Sequence, residues 1–220
     1  MGWRLGRKAV GDNAEIATQA ATGGDGGKLA VLVSAIALIF SGYSLWDTSL
    51  KAADVHAFVP PVIQFSAPYQ NSNFEVLAVP VTLTNEGARS ATVLSIELAV
   101  TDPRSKQTKR FYAADFGRWT MERTRSGAYE PFAPISLPGR SSRTESVLFY
   151  TRGQGEKPNE LIREPGPYHF TLTFDIAESA AKPAVSFERT LLAYDARAFN
   201  EGTLPLYSSD WSAASNSEAQ

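Results

Sequence analysis

The sequence predicts a mainly β fold, with two antiparallel sheets packed face to face, preceded by one membrane-spanning helix. The helix prediction rests on residues 29–46, which contain no formally charged side chain. The sheet prediction rests on short apolar runs of period two that recur from Val62 onward, separated by turn residues. The predicted order is a flexible cytoplasmic tail (1–28), a transmembrane helix (29–46), a connector (47–61), a β-sandwich domain (62–200) and a mobile C-terminal tail (201–220).

The uncharged run lies between Lys28 and Asp47. At about 1.5 Å per residue, a helix of this length just reaches across a thin hydrocarbon core of roughly 30 Å. Tyr43 and Trp46 fit the headgroup boundary, where aromatic rings with a polar edge collect. Two alternatives stay open, a cleaved export signal and a buried helix of a soluble protein, because the strongly apolar part covers only 29–40. A retained signal anchor is favoured because the apolar part starts late for a cleaved signal.

Positive charge predicts the orientation of this helix. Four basic residues precede the run and one follows it closely: Arg4, Arg7, Lys8 and Lys28, then Lys51. Since basic flanks stay in the cytoplasm, we expect a cytoplasmic N-terminus and an extracytoplasmic C-terminal domain, periplasmic in a Gram-negative cell. The chain contains no cysteine, which excludes disulfides, thiolate zinc sites and cysteine nucleophiles.

Small side chains form a possible packing stripe along one face of the predicted helix. They follow spacings of three and four: Ala30, Ser34, Ala37, Ser41 and Ser44. Because small residues let membrane helices approach closely, we expect a second transmembrane helix here, from another copy or another envelope protein. The alternative is that Ala and Ser are simply common in such segments.

Alternating apolar residues predict the strands of the domain. The clearest covers 76–84, where Pro80 indicates an edge position or a bulge because it cannot donate to a ladder. A second covers 92–101, with Leu94, Ile96, Leu98 and Val100 expected to point inward. The remaining predicted strands cover 109–113, 142–150, 168–176 and 185–194.

Two segments resemble known modules. Residues 81–91 form a strand, an Asn85-Glu86-Gly87 turn and a second strand, which is similar to bacterial immunoglobulin-like and adhesion-type modules. Residues 167–170 (Pro-Tyr-His-Phe) resemble a later Tyr-containing strand of those modules. The resemblance implies an immunoglobulin-like sandwich in a bacterial single-pass membrane protein. The antibody-type family is excluded, because its Cys…Trp…Cys signature is missing.

The sequence predicts no catalytic, cofactor-binding or metal-binding residues. Its two histidines, His56 and His169, have no local dyad partner, since Asp175 lies about 20 Å from His169 along a strand. Neither a Gly-x-Ser-x-Gly elbow nor an HExxH motif occurs.

The strongest charge feature is basic and mixed with aromatic residues. Its members are Arg104, Lys106, Arg110, Arg118, Trp119, Arg123 and Arg125. Because Arg and aromatic side chains are enriched in interface cores, these residues form a candidate partner surface. The alternative is a solvated loop. The net charge of the chain is −2, which argues against nucleic-acid binding.

These patterns predict a non-catalytic, membrane-anchored interaction or structural module of the cell envelope. Two alternatives stay open. One is an exported sandwich that binds a small ligand or glycan, and the other is a hydrolase whose carboxylate site forms only in the fold. A deep pocket lined by carboxylates favours the hydrolase, whereas a flat aromatic and arginine surface favours the interaction module.

Overall fold

The computed structural model describes residues 26–66, 75–117, 130–151, 160–177, 179, 182–193 and 203–210. The chain divides into two compact units, residues 1–50 and residues 51–220.

The described part of the first unit is an apolar helix, α1 (Gly26–Leu45), which continues as a π-helical turn over Trp46–Leu50. The stretch Gly27–Leu50 is 24 residues long and contains an 18-residue window with a mean hydropathy of 2.0, so that by length and composition it could cross a membrane. Its large apolar side chains are exposed, including Leu38 and Phe40. The exposed side chains need another apolar environment.

The second unit is built from antiparallel strands. Their bounds are β1 (Val55–Phe58), β2 (Val62–Ser66), β3 (Val76–Asn85), β4 (Ala91–Thr101), β5 (Thr108–Phe116), β6 (Glu130–Pro131), β7 (Ile135–Leu137), β8 (Ser141–Thr151), β9 (Gly166–Ile176), β10 (Ala184–Leu191) and β11 (Thr203–Tyr207).

Eight of these strands form a closed, barrel-like sheet in the order β5-β8-β3-β2-β11-β10-β9-β4, and β4 pairs back with β5. The short strands β6, β7 and β1 pair with β5, β4 and β3 at its margins. The longest ladder joins β3 to β8, and the next longest join β9 to β4 and to β10. In contrast, β10 meets β11 through the single pair Thr190↔Tyr207. The predicted mainly β, antiparallel fold is confirmed. The two separate sheets of the prediction are joined here into one path, and the immunoglobulin-like topology stays a prediction.

The core follows from the period-two pattern that predicted the strands. On β9, every second side chain from Tyr168 to Phe174 is less than 2% exposed, as the alternation within the predicted strand 168–176 requires. The inward face of β3 is equally well buried, from Leu77 to Leu83. These side chains join those of β4, β8 and the remaining strands in one hydrophobic cluster. Burial of this shared apolar surface holds the barrel together.

Two predictions within the strands are wrong. Leu94 is 46% exposed and Val93 is buried instead, because the β4–β9 register shifts between Val93 and Ser95. Such a bulge reverses the faces on one side of it. The strand with Pro80 is not at an edge, since β3 lies between β8 and the β1–β2 segment. Pro80 falls between the residues paired with β2 and those paired with β1, where that ladder is interrupted.

The domain extends beyond both predicted boundaries. Strand β1 lies within the predicted connector and pairs with residues 82–85. Strand β11 lies within the predicted mobile tail and pairs along the whole of β2. Leu204 and Leu206 are buried there, but an alternation of two leucines around a proline is too short to identify a strand from sequence.

A hydrogen-bonded clamp joins residues 51–54 to the β3–β4 turn. The Glu86 N–H donates to the Asp54 carbonyl (2.8 Å), and the Asn85 amide oxygen accepts from the N–H groups of Asp54 (3.1 Å) and Gly87 (3.0 Å). A Cβ on Gly87 would lie 2.0 Å from the Ala52 carbonyl oxygen. Only glycine therefore allows this close approach. The clamp fixes the start of β1 relative to the end of β3.

Candidate functional site at the β4–β5 end of the barrel

The β4–β5 turn places the first predicted partner-surface residues. Residues 102–107 close with two backbone hydrogen bonds between Asp102 and the far side of the turn. Lys106 adopts a φ of 56°, in the left-handed region, and its side chain is exposed. Burial raises the pKa of the Asp102 carboxyl, but hydrogen bonds from Arg104 and Ser105 outweigh it, so that this pKa is lowered overall. The turn is therefore a hydrogen-bonded element that presents Lys106 to solvent.

Arg104 is engaged within the molecule. Its guanidinium donates to the Asp102 carboxylate (2.8 Å) and to the Pro165 carbonyl (2.9 Å), and it lies 5.0 Å from the centre of the Tyr168 ring. Cation–π and hydrogen-bond contacts of this kind hold an arginine in one conformation. Arg104 therefore ties the β4–β5 turn to the start of β9.

Tyr168 forms a second tie at the same end of the barrel. Its ring is fully buried, and its hydroxyl donates to the Glu164 carbonyl (2.7 Å) and accepts from the Glu164 N–H (3.2 Å). A tyrosine hydroxyl that bonds back to the backbone a few residues upstream closes a local turn, an arrangement called a tyrosine corner. The corner fixes the chain just before it enters β9.

A buried ion pair lies beneath this end. The Lys109 ammonium contacts a carboxylate oxygen of Glu75, and both side chains are 0% exposed. The other Glu75 oxygen accepts from the Leu161 N–H (3.2 Å). Desolvation by burial raises the pKa of Glu75, although Lys109 acts in the opposite direction. Lys109 lies on the inward face of β5 with Phe111. It is therefore not part of the outer surface of β5, where Arg110 and Tyr112 lie.

Arg110 and Tyr112 point outward from the same strand and are exposed. Among the described residues, no hydrogen bond or ion pair engages the Arg110 guanidinium. The Tyr112 ring is 42% exposed and meets the Tyr150 ring edge-on, with ring centres 6.5 Å apart. The Tyr150 hydroxyl donates to Asp115 (2.7 Å). Arginine and tyrosine are among the residue types that are enriched at the energetic centres of protein interfaces. We call Arg110, Tyr112 and Tyr150 the β5 surface.

The structure describes some of the remaining residues of the predicted sites and not others. Arg118, Trp119, Arg123 and Arg125 lie outside the described residues. All residues of the predicted helix stripe lie within α1, and their side chains are exposed. Its members are Ala30, Ser34, Ala37, Ser41 and Ser44. A packing partner for this stripe stays a prediction.

Both histidines have carboxylate neighbours. His169 lies 3.4 Å from Glu188 on the adjacent strand β10. His56 lies 3.2 Å from Asp54, and Glu86 completes a group of three possible metal ligands. The sequence reasoning missed this group because Glu86 comes from the far end of β3. The only local signal for this group in the sequence was the spacing of Asp54 and His56, which are two residues apart.

Two cavities lined by described residues are small. One, of about 240 Å³, lies between residues 52–55, the β3–β4 turn and the end of β9. The other, of about 290 Å³, lies on the outside of β2, β3 and β8, near Pro80. Neither of these two linings includes a carboxylate. The deep carboxylate-lined pocket that would favour the hydrolase alternative is therefore not one of these two.

No family model and no curated protein matches the chain. Solved structures that are similar to it include a Bordetella pertussis protein provisionally named ApaA, at 14% identity over 72% of this chain and 97% of that chain, with a TM-score of 0.29. A protein from Archaeoglobus fulgidus gives 12% identity over 63% and 94%, with a TM-score of 0.33. A β-glucosidase of intestinal bacteria involved in saponin metabolism gives 14% identity over 63% and 16%, with a TM-score of 0.29. At these values the likeness carries no argument about fold or function.

Proposed function

We propose that the protein is a non-catalytic, membrane-anchored module that binds another envelope protein through the β5 surface. The observation that carries the proposal is the contrast between two neighbouring arginines. Arg104 is tied to Asp102 and Tyr168, whereas Arg110 is exposed and has no partner among the described residues. An arginine that is not needed for the fold, next to an exposed tyrosine, is available to pair with a carboxylate of a partner.

The anchor supports the same function. A helix whose large apolar side chains are exposed on all sides is stable in lipid and costly in water. The basic residues before it favour a cytoplasmic N-terminus, so the barrel lies outside the cytoplasm. Membrane attachment then concentrates the β5 surface where other envelope proteins are found.

The immunoglobulin-like assignment is part of the proposal. It is supported by the tyrosine corner of Tyr168 and by the two long ladder sets, β3–β8–β5 and β4–β9–β10. The two sets are linked by the β4–β5 hairpin and, on the other side, by the single β10–β11 pair. A sandwich that is closed at its corners has this pattern of pairing.

Site-specific photocrosslinking in intact cells tests the proposed surface. The full chain carries p-benzoylphenylalanine in place of Tyr112 or, as a matched control, in place of Ser186, an exposed residue of β10. We expect one discrete protein adduct from position 112 and none from position 186. The same adducts from both positions, or none from either, would contradict the proposal.

A charge reversal in the chain that carries the crosslinker tests whether Arg110 contributes to binding of the partner or only lies near it. Arg110→Glu is expected to reduce the yield of the adduct by about tenfold, which corresponds to about 1.4 kcal/mol of binding energy. Lys182→Glu is the control, since Lys182 is also an exposed cation, paired only with Asp175 in the described part of the chain. Unchanged yield in Arg110→Glu would remove Arg110 from the interface.

A further inference from the structure

The start of β1 and the end of β3 bring three metal-ligating side chains together. Asp54 and His56 come from the first segment and Glu86 from the second. The Nε2 atom of His56 lies 3.2 Å from Asp54 Oδ1. One ligand atom from each of the three residues lies within 4.8 Å of the other two, and all three side chains are exposed.

The backbone holds these residues in place. His56 pairs with Thr84 in the β1–β3 ladder, and the Glu86 N–H donates to the Asp54 carbonyl (2.8 Å). The buried Asn85 amide accepts from the Asp54 N–H and donates to the Arg89 carbonyl (2.8 Å). Only side-chain rotations are therefore needed to adjust the distances between the ligand atoms.

The charges at this position are unbalanced. The Lys51 ammonium donates to the backbone carbonyl of Glu86 (3.3 Å) and not to its carboxylate. Among the described residues, no ammonium or guanidinium pairs with the carboxylates of Asp54 or Glu86. Two carboxylates that converge on one imidazole repel each other, and a bound cation removes that repulsion.

We propose that Asp54, His56 and Glu86 bind a divalent transition-metal ion of the zinc type. One imidazole nitrogen and two carboxylate oxygens are a ligand set that Zn²⁺ accepts, whereas Mg²⁺ and Ca²⁺ prefer oxygen ligands alone. Tetrahedral ligands at about 2.1 Å from Zn²⁺ lie about 3.4 Å apart, close to the His56–Asp54 distance. This site is separate from the β5 surface and does not depend on the proposed function.

The position of the site gives the bound ion a structural consequence. The ion links the segment that enters the barrel, through Asp54 and His56, to the β3–β4 turn, through Glu86. An ion that binds the folded state and not the unfolded state stabilises the fold, and the stabilisation rises with the logarithm of the ion concentration above its Kd. Three protein ligands also leave a coordination position for water.

Titration calorimetry with Zn²⁺ tests the site on the full chain in detergent micelles, after treatment with a chelator. Wild type is expected to bind one equivalent that Mg²⁺ does not replace, and His56→Gln to lose it. His169→Gln is the matched control, because His169 is also exposed and has one carboxylate neighbour at 3.4 Å. The chain has two histidines and no cysteine, so competing sites of this class are few.

Glu86→Gln distinguishes a three-ligand site from binding to a histidine alone. We expect its affinity for Zn²⁺ to fall by more than about tenfold, and the Zn²⁺-dependent rise in the thermal unfolding temperature to disappear. Because all three side chains are exposed, circular dichroism is expected to show that the variants fold. Binding in Glu86→Gln or His56→Gln that equals wild type would overturn the proposal, as would an absence of binding to wild type.

Discussion

The buried Glu75–Lys109 pair gives the sharpest prediction about stability. Lys109→Met keeps an unbranched stem of similar length on the inward face of β5 and removes the ammonium from the carboxylate. Both side chains are 0% exposed, so water cannot replace the lost partner. Breaking a buried pair from one side costs about 3–5 kcal/mol, and we expect the unfolding free energy to fall by about this amount.

The double variant Glu75→Gln with Lys109→Met decides whether the loss comes from the pair. Glutamine keeps an oxygen that accepts the Leu161 N–H, which lies 3.2 Å from Glu75 Oε1, and both charges are gone. Since replacing a whole buried pair by neutral groups is often close to neutral in energy, we expect the double variant to lie within about 2 kcal/mol of wild type. The loss is then much smaller than the sum of the two single variants.

The assay is equilibrium unfolding in guanidinium chloride, followed by circular dichroism of the full chain in micelles. Lys182→Met is the control, because its pair with Asp175 is exposed and is worth less than about 1 kcal/mol. The reasoning is refuted if Lys109→Met behaves like Lys182→Met, or if the two single losses simply add in the double variant.

Three further predictions follow from the same ties and turns. Burial raises the pKa of Glu75 above its ordinary value of 4.5. The Glu75 carboxyl therefore keeps its proton to a higher pH in the folded state than in the unfolded state. As a result, the unfolding free energy should fall as pH rises from 4.5 through the raised pKa. A pH series of denaturation curves checks this, and Glu75→Gln should lack that fall. Tyr168→Phe removes the corner hydrogen bonds and should cost about 1–3 kcal/mol by the same assay; a loss near zero would show that the corner adds no stability. Gly87→Ala places a methyl group against the Ala52 carbonyl and should lower stability by about 1–3 kcal/mol, whereas Gly42→Ala, with open space around it, should not.

The strands could be predicted from sequence where alternation was long and uninterrupted. In β9 the inward residues from Tyr168 to Phe174 follow one another without a break, so the face and the bounds agree with the structure to within two residues. In β4 the pattern fitted two registers, and the bulge that selects Val93 over Leu94 has no local signal. Pro80 misled the prediction because an interrupted ladder tolerates a proline as well as an edge does.

The site residues were harder to predict because their partners are distant in sequence. Lys109 lies in sequence between Lys106 and Arg110 of the predicted basic surface, but it shares its inward face with the buried Phe111. Its burial depends on Glu75, which enters from the start of β3. Arg104 and Arg110 looked alike in sequence and differ only because β9 brings Tyr168 beneath the first of them. Composition identifies such a cluster, but the three-dimensional neighbours decide which cations are free to bind.

Cysteine accessibility tests the central claim, that α1 anchors the barrel outside the cytoplasm. The chain has no cysteine, so a single introduced thiol reports its own location. The cells have a permeabilised outer membrane and an intact cytoplasmic membrane, which a membrane-impermeant maleimide cannot cross. We expect this reagent to label Ser186→Cys on β10 and to leave Thr18→Cys unlabelled until the cells are lysed. Labelling of Thr18→Cys in intact cells, with protection of Ser186→Cys, would contradict the account.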